Sequence, residues 1–217
     1  MTEVQLRSPS LADLPGVYRV CDLTGAGESP AGGDRNPELL GHVFAGPYVV
    51  AHPTWCRVVV DAFGVAGYLL ATPDTDGFAE WAERSWWPSL REQYPPDAPV
   101  PPGQRWLVDL LHRPVTAPRE VVAGFPAHLH IDLLARVRGT GLGGRLLRDL
   151  FARLAAAGVA GVHLGVGTDN AHAIGFYEHL GFARAGTADD TLWMTRGLGR
   201  VGRGCVPGEG SPSLREL

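Results

Sequence analysis

The stretch Arg136-Val-Arg-Gly-Thr-Gly-Leu-Gly-Gly-Arg-Leu-Leu147 places four glycines within six residues, directly ahead of an amphipathic helix. Glycine permits positive φ angles and lets the backbone approach a ligand closely. The N–H groups of a first helical turn have no partner in the helix, and they bind phosphate with the help of the helix dipole. The stretch predicts an anion-binding turn, although a turn that only joins two elements has the same composition.

The flanking segments predict an α/β (α+β) fold. Residues 128–134 read as a strand that leads into the glycines, and residues 56–61 and 65–72 read as a hairpin. The order of strands and helices predicts a mixed sheet with helices on both faces. In the helix after the glycines, apolar residues recur at the spacing of one buried face: Leu146, Leu147, Leu150, Phe151 and Leu154.

The length of 217 residues suits one well-packed domain, which we assign to residues 1–197. Residues 73–125 hold four of the six tryptophans and a proline-dense segment, which predicts an insertion. Those tryptophans can build a small satellite core, line a ligand site, or do both. Residues 198–217 are rich in Gly, Pro and Arg, which predicts a disordered tail.

Composition excludes several classes of protein. A formal charge of −4 without any basic run argues against a nucleic-acid partner. No apolar run approaches the roughly 20 residues that cross a bilayer, and the N-terminus does not resemble a signal peptide. The three cysteines form no close pair, so neither a disulfide framework nor a zinc site is expected. We therefore expect a cytoplasmic protein with no membrane partner, either a monomer or a homodimer.

The glycines at 139, 141 and 144 also satisfy the G-x-G-x-x-G pattern of dinucleotide-binding proteins. That pattern requires an acidic residue about 20 positions further on, at the end of the next strand. Residues 155–167 contain no acidic residue. The context therefore argues against a nicotinamide or flavin site.

A second motif follows on the next predicted helix. Asn170 and Tyr177 are seven residues apart, which at about 100° per residue puts them on one face of a helix. We expect Ala173, Phe176 and Leu180 to form the core face instead. The structural alternative is that Asn170 only caps the helix and that Tyr177 is an ordinary surface residue. Because the predicted anion-binding turn precedes this helix, we favour a ligand site that includes both residues.

These two motifs resemble the acetyl-CoA motifs of the GNAT N-acetyltransferase superfamily. Arg138, Gly141 and Gly143 match its R-x-x-G-x-G signature, and residues 170–182 match its N-x-x-A-x-x-x-Y-x-x-x-G-F helix. The resemblance covers roughly residues 3–196. It implies a GNAT fold with a mostly antiparallel central sheet of about six to seven strands.

Several other segments resemble the acetyltransferase-like C-terminal domain of animal O-GlcNAcase and its free-standing bacterial relatives. They are the helix at 13–21, the Trp-rich insertion, Phe125-Pro-Ala-His-Leu-His-Ile-Asp-Leu133 and Phe176-Tyr-Glu-His-Leu-Gly181. The resemblance does not extend to the glycosidase domain of that protein. Because this chain retains the glycine turn, the resemblance implies a relative that can bind acetyl-CoA.

The GNAT resemblance also implies roles for individual residues. The glycine turn would bind the pyrophosphate, and the fourth strand would pair with the pantetheine while a backbone N–H holds the thioester oxygen. Asn170 would bind the pantetheine arm, and Tyr177 would lie near the sulfur as a hydrogen-bond donor. The implied cofactor-binding residues are Ile131, Leu133, Arg138, Gly139, Thr140, Gly141, Leu142, Gly143, Gly144, Asn170 and Tyr177.

An amine of pKa ~10.4 must lose a proton before it attacks the thioester. Asp132, His128 and His130 share one face of the predicted fourth strand and are the candidates for the base. Asp132 and Tyr177 are our predicted catalytic pair, and a structural role for Asp132 is the alternative. His128 and His130 lack a third ligand nearby, so we expect no metal.

The sequence therefore predicts an acetyl-CoA-dependent N-acetyltransferase that transfers the acetyl group directly to a primary amine. The acceptor can be a small molecule, a peptide or a protein. The alternative is a non-catalytic module that binds acyl-CoA or another protein.

Overall fold

The hairpin predicted over residues 56–61 and 65–72 is present in the computed structural model, which describes residues 4–25 and 35–199. Its strands Arg57–Asp61 and Gly64–Thr72 pair antiparallel, and Gly64 has a φ of 94° at the turn. A positive φ of this size favours glycine, which has no Cβ. The predicted disordered tail lies outside the described residues from position 200 onward.

Seven strands of the described chain form one sheet: β1 (Gln5–Arg7), β2 (Arg57–Asp61), β3 (Gly64–Thr72), β4 (Ala127–Leu133), β5 (Gly161–Gly167), β6 (Ala183–Ala188) and β7 (Thr191–Gly197). Their spatial order is β1-β2-β3-β4-β5-β7-β6. Only the pair β4 and β5 is parallel. The predicted mixed, mostly antiparallel sheet is confirmed.

Helices cover both faces of the sheet, as predicted. Those of the described residues are α1 (Leu14–Gly25), α2 (Leu39–Phe44), α3 (Gly46–Ala51), α4 (Thr75–Ser85), α5 (Trp87–Gln93), α6 (Arg105–His112), α7 (Arg119–Gly124), α8 (Leu142–Ala156) and α9 (Ala171–His179). The sequence did not predict α3, α5 and α7, which are only six or seven residues long. None of the described helices is both long and apolar enough to cross a membrane.

The two faces of the sheet pack into two separate core layers. Alternate side chains of β3 enter different layers, with Tyr68 and Leu70 in the first layer and Leu69 in the second. Residues from α1 to α6 complete the first layer, and residues from α8 and α9 complete the second. The predicted apolar face of α8 is buried, because all five of its periodic residues lie in the second layer.

Helices α4 to α7 fill the segment between β3 and β4, where sequence analysis predicts an insertion. Trp87 is buried in the first core layer, and Trp81 and Trp86 pack against the same layer. These tryptophans therefore extend a main core layer instead of forming a satellite core. Trp106 differs, because 47% of its surface is exposed.

Strands β4 and β5 separate soon after they meet. Only two residue pairs, Ala127 with Val162 and His128 with His163, are in register between them. On its other edge β4 pairs with β3 over six residues, as far as Leu133. The remainder of β4 therefore has a free edge beside a gap in the middle of the sheet.

Candidate active site

The glycine turn takes the conformation that its sequence predicts. Gly139 and Gly141 have φ values of 72° and 80°, and Gly141 immediately precedes α8. A Cβ built on either residue would meet no atom within 4 Å, so backbone conformation and not crowding selects glycine there. At Gly143 a Cβ would lie 3.1 Å from Phe176 Cζ, so this glycine permits close packing of α8 against α9.

The turn presents a row of unused backbone donors. Among residues 4–25 and 35–199, the N–H groups of residues 139–144 find no hydrogen-bond acceptor. The Arg138 N–H differs, because it donates to Ala135 O at 3.2 Å. Thr140 Oγ1 donates to Val137 O at 2.8 Å and stabilises the turn. Donors at the N-terminus of a 15-residue helix form a site for an anion, and this site begins at Gly139.

The free edge of β4 lies beside this turn. Leu134 N–H donates to Ala66 O at 2.8 Å, so it points toward β3. In an antiparallel ladder, successive residues point their backbone groups alternately toward and away from the partner strand. The N–H groups of Ile131 and Leu133 therefore point toward the gap. Arg138 Nε donates to Leu133 O at 2.6 Å and connects the turn to this edge.

Asn170 takes the capping role that the sequence offers as the structural alternative to a ridge shared with Tyr177. Asn170 precedes α9 as its capping residue, where its Oδ1 accepts the Ala173 N–H at 3.1 Å. Its φ of −84° and ψ of 65° are not helical, as is usual for a capping residue. Asn170 remains exposed, and its amide N–H₂ is available to a ligand.

The predicted core face of α9 is correct in part, because Ala173, Phe176 and Leu180 pack against the second core layer but are only partly buried. Ile174 and Tyr177 are the buried residues of this helix, whereas Phe176 is only partly buried. The Tyr177 ring packs against Phe176 and Phe182, with centroids 5.5 and 5.6 Å apart. Burial, and then the charge of Asp132, raise the pKa of Tyr177 well above its usual value. The Tyr177 hydroxyl, which donates to no acceptor in the described chain, therefore stays protonated.

Asp132 shares a face of β4 with His128 and His130, as predicted, but its surroundings differ. Asp132 Oδ2 accepts the hydroxyl of Tyr68 at 2.6 Å. Burial raises the pKa of Asp132, and the hydrogen bond from Tyr68 partly opposes this shift. The carboxylate is thus held by a side chain of β3 and does not line the large cavity described below.

The two described cysteines are buried thiols. Burial raises the pKa values of Cys21 and Cys56 to about 12. A thiol is nucleophilic only as the thiolate. Neither residue is therefore suited to form a covalent acyl intermediate.

A cavity of about 930 Å³ lies above the gap between β4 and β5. Helices α2 to α6 form one wall, and the two strands form the other. Asp132 does not contribute to its lining, whereas His128 and His130 do. Its aromatic and histidine lining residues are Phe44, Tyr48, Phe78, Trp87, Trp106, His128, His130, His163 and Trp193.

A chain of hydrogen bonds in the cavity wall orients His130. Thr75 Oγ1 donates to Pro126 O at 2.7 Å, because a carbonyl can only accept. Thr75 must then accept from His128 Nδ1, at 2.7 Å, which leaves His128 Nε2 to accept the Tyr48 hydroxyl, also at 2.7 Å. The Tyr48 oxygen therefore accepts from His130 Nε2 at 3.1 Å, and His130 Nδ1 keeps its lone pair.

Burial keeps the cavity histidines neutral. It lowers the pKa of His130 to about 4, with a further contribution from His163, and lowers the pKa values of His128 and His163 as well. His163 Nδ1 donates to Phe125 O at 2.6 Å, which fixes its tautomer. Sequence analysis missed Tyr48, Thr75 and His163, which no local motif connects to β4. In the described residues, no group of three or more His, Cys, Asp or Glu side chains could hold a metal.

The neutral histidines predict a loss of stability in mild acid. Unfolded histidine has a pKa of ~6.5, so between that value and about 4 the unfolded chain binds more protons at His130 than the folded chain. Stability is therefore present above pH ~6.5 and falls as the pH decreases, by about 2 kcal/mol from His130 alone between pH ~7 and ~5. Urea unfolding of wild type and His130→Gln at both pH values measures this difference.

His172→Gln provides the matched control, because the side chain of His172 is exposed on the surface of α9. We expect it to retain the wild-type pH dependence, whereas His130→Gln reduces it. Equal slopes for wild type and His130→Gln would contradict a buried neutral His130.

Comparison with known proteins agrees with this arrangement. A model of the acetyltransferase (GNAT) family matches residues 87–182, which include β4, the glycine turn and α9. The crystal structure of SsHAT matches with a TM-score of 0.78 at 31% identity, covering 90% of this chain and 98% of that chain. The ribosomal-protein-S18-alanine N-acetyltransferase from Escherichia coli matches with a TM-score of 0.52 at 17% identity, over 93% of this chain and 97% of that chain, and shows the shared fold alone.

The resemblance to O-GlcNAcase is also confirmed. Protein O-GlcNAcase of Rattus norvegicus is 24% identical over 172 residues, which is 78% of this chain and 19% of the relative. The chain thus spans about a fifth of the length of the curated relatives that it matches. The family match and the similarity to SsHAT show that the chain belongs to the acetyltransferase (GNAT) family, whose members use acetyl-CoA as a substrate.

Proposed function

We propose that the protein is an N-acetyltransferase that transfers the acetyl group of acetyl-CoA directly to a primary amine. The observation that carries this proposal is the position of the six unused N–H groups of residues 139–144 beside the free edge of β4. One ligand that has both a pyrophosphate and an extended amide-containing arm would use both features. Acetyl-CoA is such a ligand.

The N–H groups of the turn would bind the pyrophosphate with the help of the α8 dipole. The free edge of β4 at Ile131 and Leu133 would pair with the pantetheine arm, as a peptide strand pairs with a sheet edge. An N–H group of this edge would also stabilise the negative oxygen of the tetrahedral intermediate. The exposed amide of Asn170 would bind the arm from the side of α9.

Tyr177 would donate a hydrogen bond to the leaving sulfur. The raised pKa of Tyr177 supports this role, because a hydroxyl that holds its proton tightly donates a hydrogen bond but does not complete proton transfer. The protonated, buried cysteines support direct transfer without an acyl-enzyme. Of the predicted bases, only His128 and His130 line the cavity, and a base role for Asp132 stays a prediction.

Calorimetry with acetyl-CoA and a thiol-release assay with a panel of amines test this proposal. We expect saturable binding of acetyl-CoA, and release of the CoA thiol that depends on the amine. Absence of binding at millimolar acetyl-CoA would contradict the proposed cofactor site. Binding without amine-dependent release across a broad panel would instead favour the alternative of a non-catalytic acyl-CoA-binding module.

A further inference from the structure

The cavity above the gap has an apolar interior and a neutral hydrogen-bonding wall. The ionisable side chains of its interior are Tyr48 and the three histidines at 128, 130 and 163, which burial keeps uncharged at neutral pH. No carboxylate of the described residues lines this interior. An ammonium group that entered would therefore lose its hydration without gaining a counter-ion, which is unfavourable.

The charged residues of the lining lie at the mouth of the cavity and are exposed: Glu80, Glu83 and Arg84. Each of the two acids already has an arginine partner. Glu83 Oε2 lies 2.8 Å from Arg91 Nη1, and Glu80 Oε2 lies 3.6 Å from Arg84 Nη1. The mouth therefore carries little net charge to attract a cation. Trp106 and Val115 also line the cavity, and they are exposed by 47% and 73%. Exposed apolar side chains at a pocket mouth indicate an apolar ligand.

Space for such a ligand extends to the gap where the acetyl group would arrive. Gly165 and Gly167 line the cavity on the same side of β5 as His163. A Cβ would lie 2.9 Å from Thr191 Cγ2 at Gly165 and 2.8 Å from Asp169 Oδ1 at Gly167, so neighbouring side chains and not those of β5 shape this part of the cavity. Trp193 pairs with Gly165 across the strands and borders the same space. A volume of about 930 Å³ is in the range of sites that enclose a small molecule.

From these observations we infer that the cavity is the acceptor site, that its substrate is an apolar aromatic amine which enters uncharged, and that Nδ1 of His130 accepts the proton from its nitrogen. The inference rests on the proposed acetyl transfer and specifies its acceptor. Tyr48, His128 and Thr75 are positioning residues, because their hydrogen bonds place the lone pair of His130 on Nδ1.

The weak basicity of an arylamine matches this site. Its nitrogen lone pair is delocalised into the ring, so the amine is neutral at pH ~7 and needs no base before it attacks. After attack, the nitrogen of the adduct is a strong acid for the same reason. A weakly basic imidazole such as His130 can then remove its proton, whereas an alkylammonium would require a stronger base before attack.

The proposed step balances without another reactant. The amine nitrogen forms a C–N bond to the carbonyl carbon, the C–S bond breaks, and the thiolate leaves with the bonding electrons. His130 takes one proton from the nitrogen, and the CoA thiolate takes up one proton from water. His130 then returns its proton to water, so that arylamine and acetyl-CoA give an acetanilide and CoA with no net release of protons.

Two isomeric amines test the substrate class, because para-butylaniline and phenylbutylamine have the same atoms but differ in basicity. The full chain is assayed with saturating acetyl-CoA at pH ~7. We expect kcat/KM for para-butylaniline to exceed that for phenylbutylamine by roughly tenfold or more, since only para-butylaniline enters uncharged. A lysine-containing peptide is the third substrate. Preference for phenylbutylamine or for the peptide would overturn the inference while leaving the proposed acetyl transfer intact.

Two variants of His130 test the assigned atom. Glutamine places its terminal amide near the position of Nε2 and lacks an acceptor at Nδ1, whereas asparagine places an acceptor near Nδ1. We expect His130→Gln to lower kcat/KM for para-butylaniline by roughly 10²-fold and His130→Asn to lower it by about tenfold or less. Calorimetry should show unchanged binding of acetyl-CoA in both variants. Equal activity of both variants and wild type would overturn the role of His130.

The positioning role of Tyr48 has its own readout. Tyr48→Phe removes the hydroxyl that fixes the His130 tautomer but leaves the aromatic packing in place. We expect it to lower kcat for para-butylaniline with little change in KM, whereas a purely structural role would change stability and not kcat alone.

Direct binding separates the failure of this inference from the failure of the proposed function. Para-butylaniline is titrated by calorimetry into the chain saturated with CoA. Binding of the arylamine without any acetylation would contradict the proposed function but retain the cavity as an arylamine site. Acetylation of other amines without arylamine binding would contradict this inference alone.

Discussion

Replacement of Gly141 by aspartate is expected to weaken acetyl-CoA binding by roughly 10²-fold, since two like charges about 5 Å apart repel by about 3 kcal/mol at an effective dielectric constant of ~20. Gly141 lies among the unused N–H groups at the start of α8, where the pyrophosphate would bind. A Cβ at this position meets no atom within 4 Å, so the carboxylate has room beside the ligand. Calorimetric titration of the variant with acetyl-CoA measures the effect.

Gly141→Asn is the matched control, because its side chain has the same size without the charge. Asparagine also tolerates the φ of 80° at this position better than most residues do. We expect this variant to bind acetyl-CoA within a few-fold of wild type. If asparagine and aspartate weaken binding equally, the strain of the backbone and not the anion site explains the loss.

The second expected result concerns Tyr177→Phe, which should lower kcat by roughly 10- to 10²-fold, because a hydrogen bond to a charged group contributes about 1.5–3 kcal/mol. The hydroxyl finds no acceptor in the described chain, so its removal should leave the free energy of unfolding and the binding of acetyl-CoA nearly unchanged. The raised pKa of Tyr177 also predicts that no loss of activity near neutral pH arises from its ionisation. Steady-state kinetics and urea unfolding test both statements.

Tyr18→Phe provides a control with the opposite pattern. The Tyr18 hydroxyl pairs with His42 Nδ1 at 3.0 Å, away from the glycine turn and the large cavity. Its loss should lower the free energy of unfolding by about 1 kcal/mol and leave kcat unchanged. Unchanged kcat in Tyr177→Phe as well would remove Tyr177 from the proposed mechanism.

Local patterns in the sequence predicted the fold well, because strands and helices of this chain show their own periodicity. The buried face of α8 and the hairpin of β2 and β3 follow directly from the spacing of apolar residues and the glycine at the turn. The short helices α3, α5 and α7 were missed, since six or seven residues are too few to show a clear helical period. Asn170 serves as the cap of α9, which is the role that the sequence left open beside a ligand-binding one.

The sequence by itself determined the proposed binding site for the acetyl donor, acetyl-CoA. Positive φ angles at Gly139 and Gly141, and unused N–H groups before a helix, are local properties that twelve consecutive residues specify. Only the tertiary structure decided the proposed site for the acceptor amine. Tyr48 is 80 residues from His128, and the lone pair of His130 is directed by a hydrogen-bond chain that ends at the Pro126 carbonyl. Such a chain depends on the directions of side chains from distant elements, which the spacing of residues along one strand does not encode.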